Sequence, residues 1–437
     1  MASNWGVTQF DQLLTEPTRT GIYKQKEFHG RGVKIVNMGE LFAHSRLGPI
    51  PMKRVELSVS EQERFNVLKG DLLFARRSLV AEGAGKCSVV LDVDEGTTFE
   101  SSIIRARPDT AKVDPLYVYY FFNSRSGLHA LDTIRRQVAV AGITGSDLAK
   151  LEIPVPSLPE QHAIASILGT LDDKIELNRR MNDTLEMIAR SLFKSWFVDF
   201  DPVRAKAEGR DPLVPKLLAD LFPDSFEDSE LGKIPQGWGV ATLADLATLN
   251  PESWSKVSRP ATVRYVDLSN TKWGHIEYVT TYARDNAPSR AQRVLRLGDT
   301  IVGTVRPGNG AYALVADDGL TGSTGFAVLR PQRPEYLEFV YLAATTRQNI
   351  EALAQLADGG AYPAVRPEVV ASSHVVRAPN AVLAAFSNAA SPPLSRMAAS
   401  ERESRTLAAL LDTLLPQLIS GELRVRHLTY LIGSHKK

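Results

Sequence analysis

The chain is poor in cysteine: Cys87 is the single one among 437 residues. That excludes internal disulfides and a cysteine cage for zinc, and it fits a reducing compartment. No sign of charge dominates, because 51 Lys and Arg stand against 50 Asp and Glu, a net +1. Composition therefore gives no signal for nucleic acid, although an average can hide a local face. No apolar run approaches the roughly 20 residues that a membrane helix needs. Met1 to Phe10 lacks the basic-then-apolar pattern of a secretory leader. What remains is 43% hydrophobic residues, ordinary for folded protein. The length favours two domains of about 150 residues with connecting elements. The expectation is a soluble, cytoplasmic, multi-domain protein.

Catalytic signatures are also missing. Glu82-Gly83-Ala84-Gly85-Lys86-Cys87 resembles the end of a phosphate-binding loop. That loop needs glycine where Val80 stands, and Ser or Thr where Cys87 stands. Asn250-Pro251-Glu252-Ser253 lacks the second proline and the aromatic of an amino-methyltransferase motif, and Gly322-Ser323-Thr324-Gly325 is no nucleophile elbow. No glycine-rich cofactor loop has Rossmann spacing. The eight histidines are dispersed, without a His-x-x-x-His pair for a metal. No catalytic residue, metal site or cofactor is expected in this chain.

The strongest internal signal is a repeat. Trp5-Gly6-Val7 recurs as Trp238-Gly239-Val240, an offset of 233. Val33-Lys34-Ile35-Val36 answers Val263-Arg264-Tyr265-Val266 at 230, and Gly70-Asp71-Leu72 answers Gly298-Asp299-Thr300 at 228. Arg107-Pro108 answers Arg330-Pro331 at 223, and Tyr117-Val118-Tyr119 answers Phe339-Val340-Tyr341 at 222. The offset falls in order along the chain, as loop deletions in one copy would produce. Each copy has short β-rich segments (Val33–Val36, Asp71–Phe74 and Ser88–Leu91 in the first), then an aromatic helix (Pro115–Phe122; Glu335–Ala344) and a closing strand (Leu151–Pro154; His374–Val376). Residues 1–156 carry 20 basic and 18 acidic side chains, and residues 233–379 carry 15 and 13, so each copy is +2. The stretch 201–232, with 4 against 8, reads as a linker.

A long helix follows each copy. From Pro159 to about Phe197, apolar residues fall at Ile164, Leu168, Leu171, Ile175, Leu185, Ile188, Leu192 and Trp196, the alternating three-and-four spacing of a coiled-coil seam. Asp201-Pro202 is expected to end it. Its counterpart runs from about Pro393 to Leu418 through Leu394, Met397, Leu407, Leu411 and Leu414. Asn178 and Asn182 interrupt the first seam where Ser400 and Ser404 interrupt the second. The plainer reading is two unrelated amphipathic helices. Mutual burial at roughly 25 cal/mol per Å² favours pairing instead. Antiparallel pairing sets Asn178 against Ser404 and Asn182 against Ser400.

Basic and hydrogen-bonding residues cluster beside turns at corresponding places in both copies. Arg76 and Arg77 follow a strand, with Lys86 on the next loop; Arg135, Arg136 and Gln137 precede Thr144. In the second copy these places hold Arg306, Asn309 and Tyr312, then Tyr362 and Arg366, with Lys272 and Trp273 on another turn. Arg reads guanine, Asn and Gln read adenine, and Lys and Arg neutralise phosphates. For any single residue, solvated surface charge is the competing reading.

Several stretches are similar to the DNA specificity (S) subunits of type I restriction–modification enzymes. These are Ile153-Pro154-Val155-Pro156-Ser157-Leu158-Pro159-Glu160-Gln161, Leu171-Asp172-Asp173-Lys174-Ile175-Glu176-Leu177-Asn178, Leu192-Phe193-Lys194-Ser195-Trp196-Phe197-Val198-Asp199-Phe200, Leu231-Gly232-Lys233-Ile234-Pro235-Gln236-Gly237-Trp238 and Leu418-Ile419-Ser420-Gly421-Glu422-Leu423. The resemblance spans the chain. It implies an α+β fold with two similar target recognition domains, residues 1–156 and 233–379, separated by two long antiparallel coiled-coil helices, 157–200 and 380–423, with 201–232 as the linker. It also implies a non-catalytic subunit whose domains each read half of a split DNA target while the helices act as a ruler. A helix of about 35 residues is roughly 52 Å long. The implied partners are double-stranded DNA, two methyltransferase subunits and two restriction/translocase subunits. S-adenosylmethionine, ATP and magnesium belong to those partners, whose holoenzyme methylates adenine N6 and cleaves DNA. Glu160 and Gln161 are expected at the methyltransferase seat. The second copy departs there, reading Ala378-Pro379-Asn380-Ala381-Val382-Leu383. Two other classes compete: a self-contained methyltransferase or nuclease, and a two-headed scaffold or repressor without a modification partner.

Overall fold

A computed structural model describes residues 5–78, 83–136, 141–360 and 362–425. The chain divides into two compact units, Met1–Lys174 with Leu407–Lys437, and Ile175–Thr406. No helix among the described residues is long and apolar enough to cross a membrane.

In the first unit, Asp114 caps the aromatic helix Pro115–Asn123, its Oδ1 accepting from Leu116 N at 2.7 Å, and proline occupies the first turn. Tyr117 to Phe122 are all buried, so the helix is enclosed on every side. It belongs to the same core as a five-stranded sheet with the spatial order Arg19–Thr20, Ile103–Ala106, Leu72–Ala75, Cys87–Val90 and Arg46–Leu47. Phe122 makes edge contacts with Phe10 at 5.1 Å and Phe74 at 5.0 Å. A second sheet sets His29–Val36 between Lys53–Val55 and Thr97–Phe99, and Glu152–Val155 pairs antiparallel with Gly6–Gln9.

The second unit repeats these pairings. Thr262–Val266 runs parallel to Leu320–Ser323, as His29–Val36 does to Thr97–Phe99. Thr300–Gly303 lies antiparallel to Phe326–Pro331, as Leu72–Ala75 does to Ile103–Ala106, and His374–Arg377 closes on Gly239–Thr242. One buried bracket shows the duplication at atomic detail. Asp71 accepts Arg107 Nε at 2.7 Å and Nη2 at 2.9 Å, and Asp299 accepts Arg330 at 2.8 and 2.9 Å. Each carboxylate also accepts a backbone N–H three residues before it, from Leu68 and Arg296, both at 2.8 Å. Each arginine is also paired with an upstream glutamate, Glu16 or Glu252. The Gly-Asp and Arg-Pro pairs of the repeat are therefore framework residues. Asn250 is framework too, since its Oδ1 accepts Val328 N at 3.0 Å.

The helices Leu158–Phe197 and Asn380–Ile419 have 40 residues each. In the first unit Ile164 and Leu168 share a core with Leu415 and Leu418. In the second unit Phe386 contacts Phe197 at 4.9 Å and Trp196 at 5.7 Å, while Asn178 meets Ser404, so the pairing is antiparallel.

Three expectations need correction, while the second helix begins at Asn380, where the 380–423 span put it and ahead of the seam read from about Pro393, and takes Pro392 and Pro393 into its interior. The two missing N–H donors are offset by complete burial of Val382, Leu383, Phe386 and Ala390. Ile188 is 52% exposed and Ala189 is buried in its place, since the stripe of a 3.6-residue helix drifts from a strict 3.5 repeat. The first helix ends at Phe197, before Pro202, which instead sits in the first turn of a new helix, Asp201–Ala207, after Phe200 turns left-handed at φ 54°. Residues 201–232 are not a free linker: Val203 and Phe222 are buried in the second unit's core, Phe222 lying 5.1 Å from Trp196 and 6.2 Å from Trp238.

Candidate nucleic-acid interface

In the first unit the structure gathers the basic candidates around one edge. Arg77-Ser78 forms a two-residue strand pairing with Ala141-Gly142, and Arg136 bridges to Gly142 through backbone hydrogen bonds. Arg77 is exposed. Arg136 is exposed too, and its Nη2 lies 2.7 Å from Asp147 Oδ2. Arg135 donates through Nε to Ala84 O at 3.1 Å and pairs with Asp132. Gln137 lies outside the described residues, as do Val80 and Glu82 of the rejected phosphate loop.

Three candidates here serve the framework. Arg76 is partly buried and donates to Ser101 O at 3.0 Å. Lys86 donates to Phe42 O at 2.8 Å, its ammonium lying 5.0 Å from the Phe42 ring centre, and burial lowers its pKa. Thr144 caps the helix Gly145–Ala149, accepting Asp147 N at 3.1 Å and donating to Asp147 Oδ2 at 2.8 Å. Of the first-unit set, Arg77 and Arg136 present the most accessible cationic surface.

In the second unit Trp273, Arg306, Asn309 and Tyr362 come together through backbone contacts. Trp273 N donates to Gly310 O at 2.7 Å, Asn309 N to Arg306 O at 2.9 Å, and Arg306 N to Pro363 O at 2.7 Å. Arg306 lies over the Tyr362 ring at 4.8 Å, and Tyr362 is 73% exposed. Arg366 is exposed at the start of the helix Pro367–Ala371, and Lys272 is exposed, 3.9 Å from Glu277. Tyr312 is a correction: it is buried, and its hydroxyl accepts from Arg190 Nη2 at 3.2 Å. Burial raises its pKa.

Residues 3–187 match the Type I restriction modification DNA specificity domain. Among curated relatives, the HindI specificity subunit of Haemophilus influenzae is 23% identical over 413 residues, covering 83% of this chain and 88% of that protein. The MjaIX specificity subunit of Methanocaldococcus jannaschii is 26% identical over 323 residues, covering 71% and 70%. The chain is thus similar to type I specificity subunits over most of its length. The fold agrees, with a TM-score of 0.57 at 16% identity to the S subunit from M. genitalium, over 95% of this chain and 96% of that one.

A polar layer lies between the two long helices. Asn178 Nδ2 donates to Ser404 Oγ at 3.2 Å, Glu403 Oε2 at 2.9 Å and Ser400 O at 3.4 Å. Asn182 and Ser400 are buried too, and Asn182 Oδ1 and Ser400 Oγ form no hydrogen bond. Gln161 is a second correction. It is 0% exposed, accepts Asp114 N through Oε1 at 2.8 Å and donates to Pro156 O through Nε2 at 2.8 Å. It fastens the first long helix to the cap of the aromatic helix and offers no surface to a partner. Glu160 pairs with Arg424 at 2.9 Å, whose guanidinium lies 4.9 Å from the Trp5 ring centre. At the 222 offset Gln161 corresponds to Leu383, which is buried among apolar residues, and Tyr336 donates instead to Asn380 Oδ1 at 3.0 Å. The missing Glu-Gln pair is thus a change of fastening.

Sequence reasoning missed Arg190 and His275. Arg190 binds Glu186 at 2.7 Å and Thr345 O at 3.0 Å and lies over Tyr312 and Tyr341 at 5.7 and 5.9 Å. His275 Nδ1 lies 3.1 Å from Glu401 Oε1 and Nε2 lies 3.8 Å from Asp183 Oδ1, joining the Lys272–Trp273 turn to both long helices. Its hydrogen bond to Glu401 raises its pKa. Among the described residues, no group of three or more His, Cys, Asp or Glu could hold a metal ion.

Proposed function

We propose that this chain is the non-catalytic specificity subunit, the DNA reader, of a type I restriction–modification complex. Each unit reads one half of a bipartite target, and the helix pair sets the unread spacer. The observation that carries this reading is the duplicated unit, with the same strand pairings and Asp–Arg bracket, bearing in each copy basic or aromatic side chains beside corresponding turns. Both long helices pass from one unit into the other along the chain, and 40 residues at 1.5 Å each make about 60 Å of helix. That exceeds one DNA turn of about 34–36 Å, which accommodates two short read halves and an unread middle.

The chemistry comes from partners. Two methyltransferase subunits dock on the helices and bring S-adenosylmethionine; two restriction/translocase subunits bring the ATP- and magnesium-dependent steps. The complex works in the cytoplasm. Mapping methylated adenines in cells with and without the chain tests the reading, since a split motif should vanish with the chain. Purified chain incubated alone with DNA and S-adenosylmethionine should methylate nothing. Methylation by the chain alone would overturn the assignment.

A further inference from the structure

Trp273 is an aromatic side chain held in a strained conformation and left in solvent. Its φ is +46°, a region that bulky residues rarely occupy, and 53% of its surface is exposed. Such strain persists only where the surroundings over-determine it, and here they do. Trp273 N is tied to Gly310 O at 2.7 Å and Gly274 N to Tyr312 O at 2.9 Å, while Lys272 pairs with His275 across the turn. The inner side of the indole lies on Gly310, where a Cβ would stand 2.5 Å from indole Cδ2, so only glycine permits this seat. The ring meets Tyr312 edge-on at 6.0 Å. Behind the turn, a Cβ on Gly274 would stand 3.1 Å from both Glu186 Oε1 and Tyr341 Oη, and His275 reaches Glu401 and Asp183. The indole is therefore fixed from below and behind and open on its outer face.

A second strained residue opens the turn whose end, Gly310, seats the indole. Arg306 is left-handed at φ +48° and lies on the exposed ring of Tyr362. Two of the five non-glycine residues with positive φ among the described residues thus flank one turn, Pro307–Gly310, the first bonded to its end and the second opening it. Burial of a hydrophobic side chain does not explain an indole more than half in solvent. A flat, rigid π face beside cations fits a nucleobase face, which stacks on aromatics whatever its identity, or a base step opened by an apolar wedge.

We propose that Trp273 is the stacking residue of the second recognition unit, placing its indole against a base exposed at a distorted step of that unit's half-target. It contributes to specificity through the ease with which that step opens, not through hydrogen bonds to base edges. The inference rests on the DNA-reading function proposed above. Its test uses the full chain with its methyltransferase partner and a duplex bearing the target found by methylation mapping, with 2-aminopurine placed at successive positions of the second half. Wild type should quench the probe at one step. Trp273→Phe should keep that quench and bind within about threefold. Trp273→Leu, which still covers Gly310 but has no π face, should lose the quench and at least tenfold in target affinity, with scrambled duplex bound as before. Leucine behaving like tryptophan, or a Phe variant that melts as wild type yet loses the quench, would overturn the proposal. If wild type itself does not prefer the target over scrambled DNA, the DNA-reading function fails first and takes this inference with it.

Discussion

Replacing Gln161 with leucine separates two roles that one residue could hold. Its amide satisfies two backbone groups, Asp114 N–H and Pro156 C=O, both at 2.8 Å, inside a site with no solvent access to the side chain. Leucine has nearly the same volume and is what the second copy carries at Leu383. Each backbone group left unsatisfied costs about 1–3 kcal/mol, and the added apolar burial returns part of that, leaving about 2–4 kcal/mol of destabilisation. For a unit of roughly 200 residues, 1 kcal/mol moves the midpoint by about 2–4 °C, so Gln161→Leu should lower the first unit's transition by about 4–16 °C. Asp114 also caps the aromatic helix, so loosening should spread there. Scanning calorimetry of the full chain gives the shift, and hydrogen exchange over 115–123 gives its location. An unchanged midpoint together with lost co-purification of the methyltransferase would refute the fastening role and restore the partner contact expected from sequence.

Further outcomes follow from the same contacts. Asp299→Asn leaves the Arg330 guanidinium without its buried partner and should cost the second unit about 2–4 kcal/mol in urea melts, and Asp71→Asn should do the same to the first. The His275 pKa is raised above 6.5 in the folded state by Glu401, so its contribution is complete below that value and drains as pH rises through the folded value. The melting difference between wild type and His275→Gln should therefore be larger at pH 6 than at pH 9. Glu252 is held at about 2 by its hydrogen bonds to Arg296 and Arg330, so its contribution is present above 4.5 and falls away as pH drops towards 2; Glu252→Gln should flatten that acid limb. Asn178→Leu should keep or raise the melting temperature while loosening register, read as mixed products when cysteines placed along the two helices are oxidised.

The duplicated fold was readable in the sequence because the matching residues are the ones that build it. Asp71 and Asp299 recur since each must bind an arginine and a backbone N–H, and the aromatic helices recur because they fill both cores. The polar interruption of the seam marked the Asn178 layer for the same reason. Surface roles were less readable, because a charge on paper does not reveal its partner. Lys86 and Tyr312 resemble binding residues until Phe42 O and Arg190 are placed beside them. Arg190, four residues after Glu186, looks like an ordinary exposed helix pair, and only the strands that bring Tyr312 and Tyr341 to it show otherwise. The acidic stretch 201–232 looked like a linker because its charges outnumber the few residues, Val203 and Phe222, that seat it.

The ruler is tested most directly by lengthening it. Four residues, about one turn, are added to each helix between Leu171 and Leu192 and at the facing positions of its counterpart, and methylated adenines are mapped in cells that carry the partner subunits. The two half-sequences should stay the same while the undefined stretch separating them grows. Unaltered separation, with both halves still methylated, would contradict the claim that these helices measure the DNA.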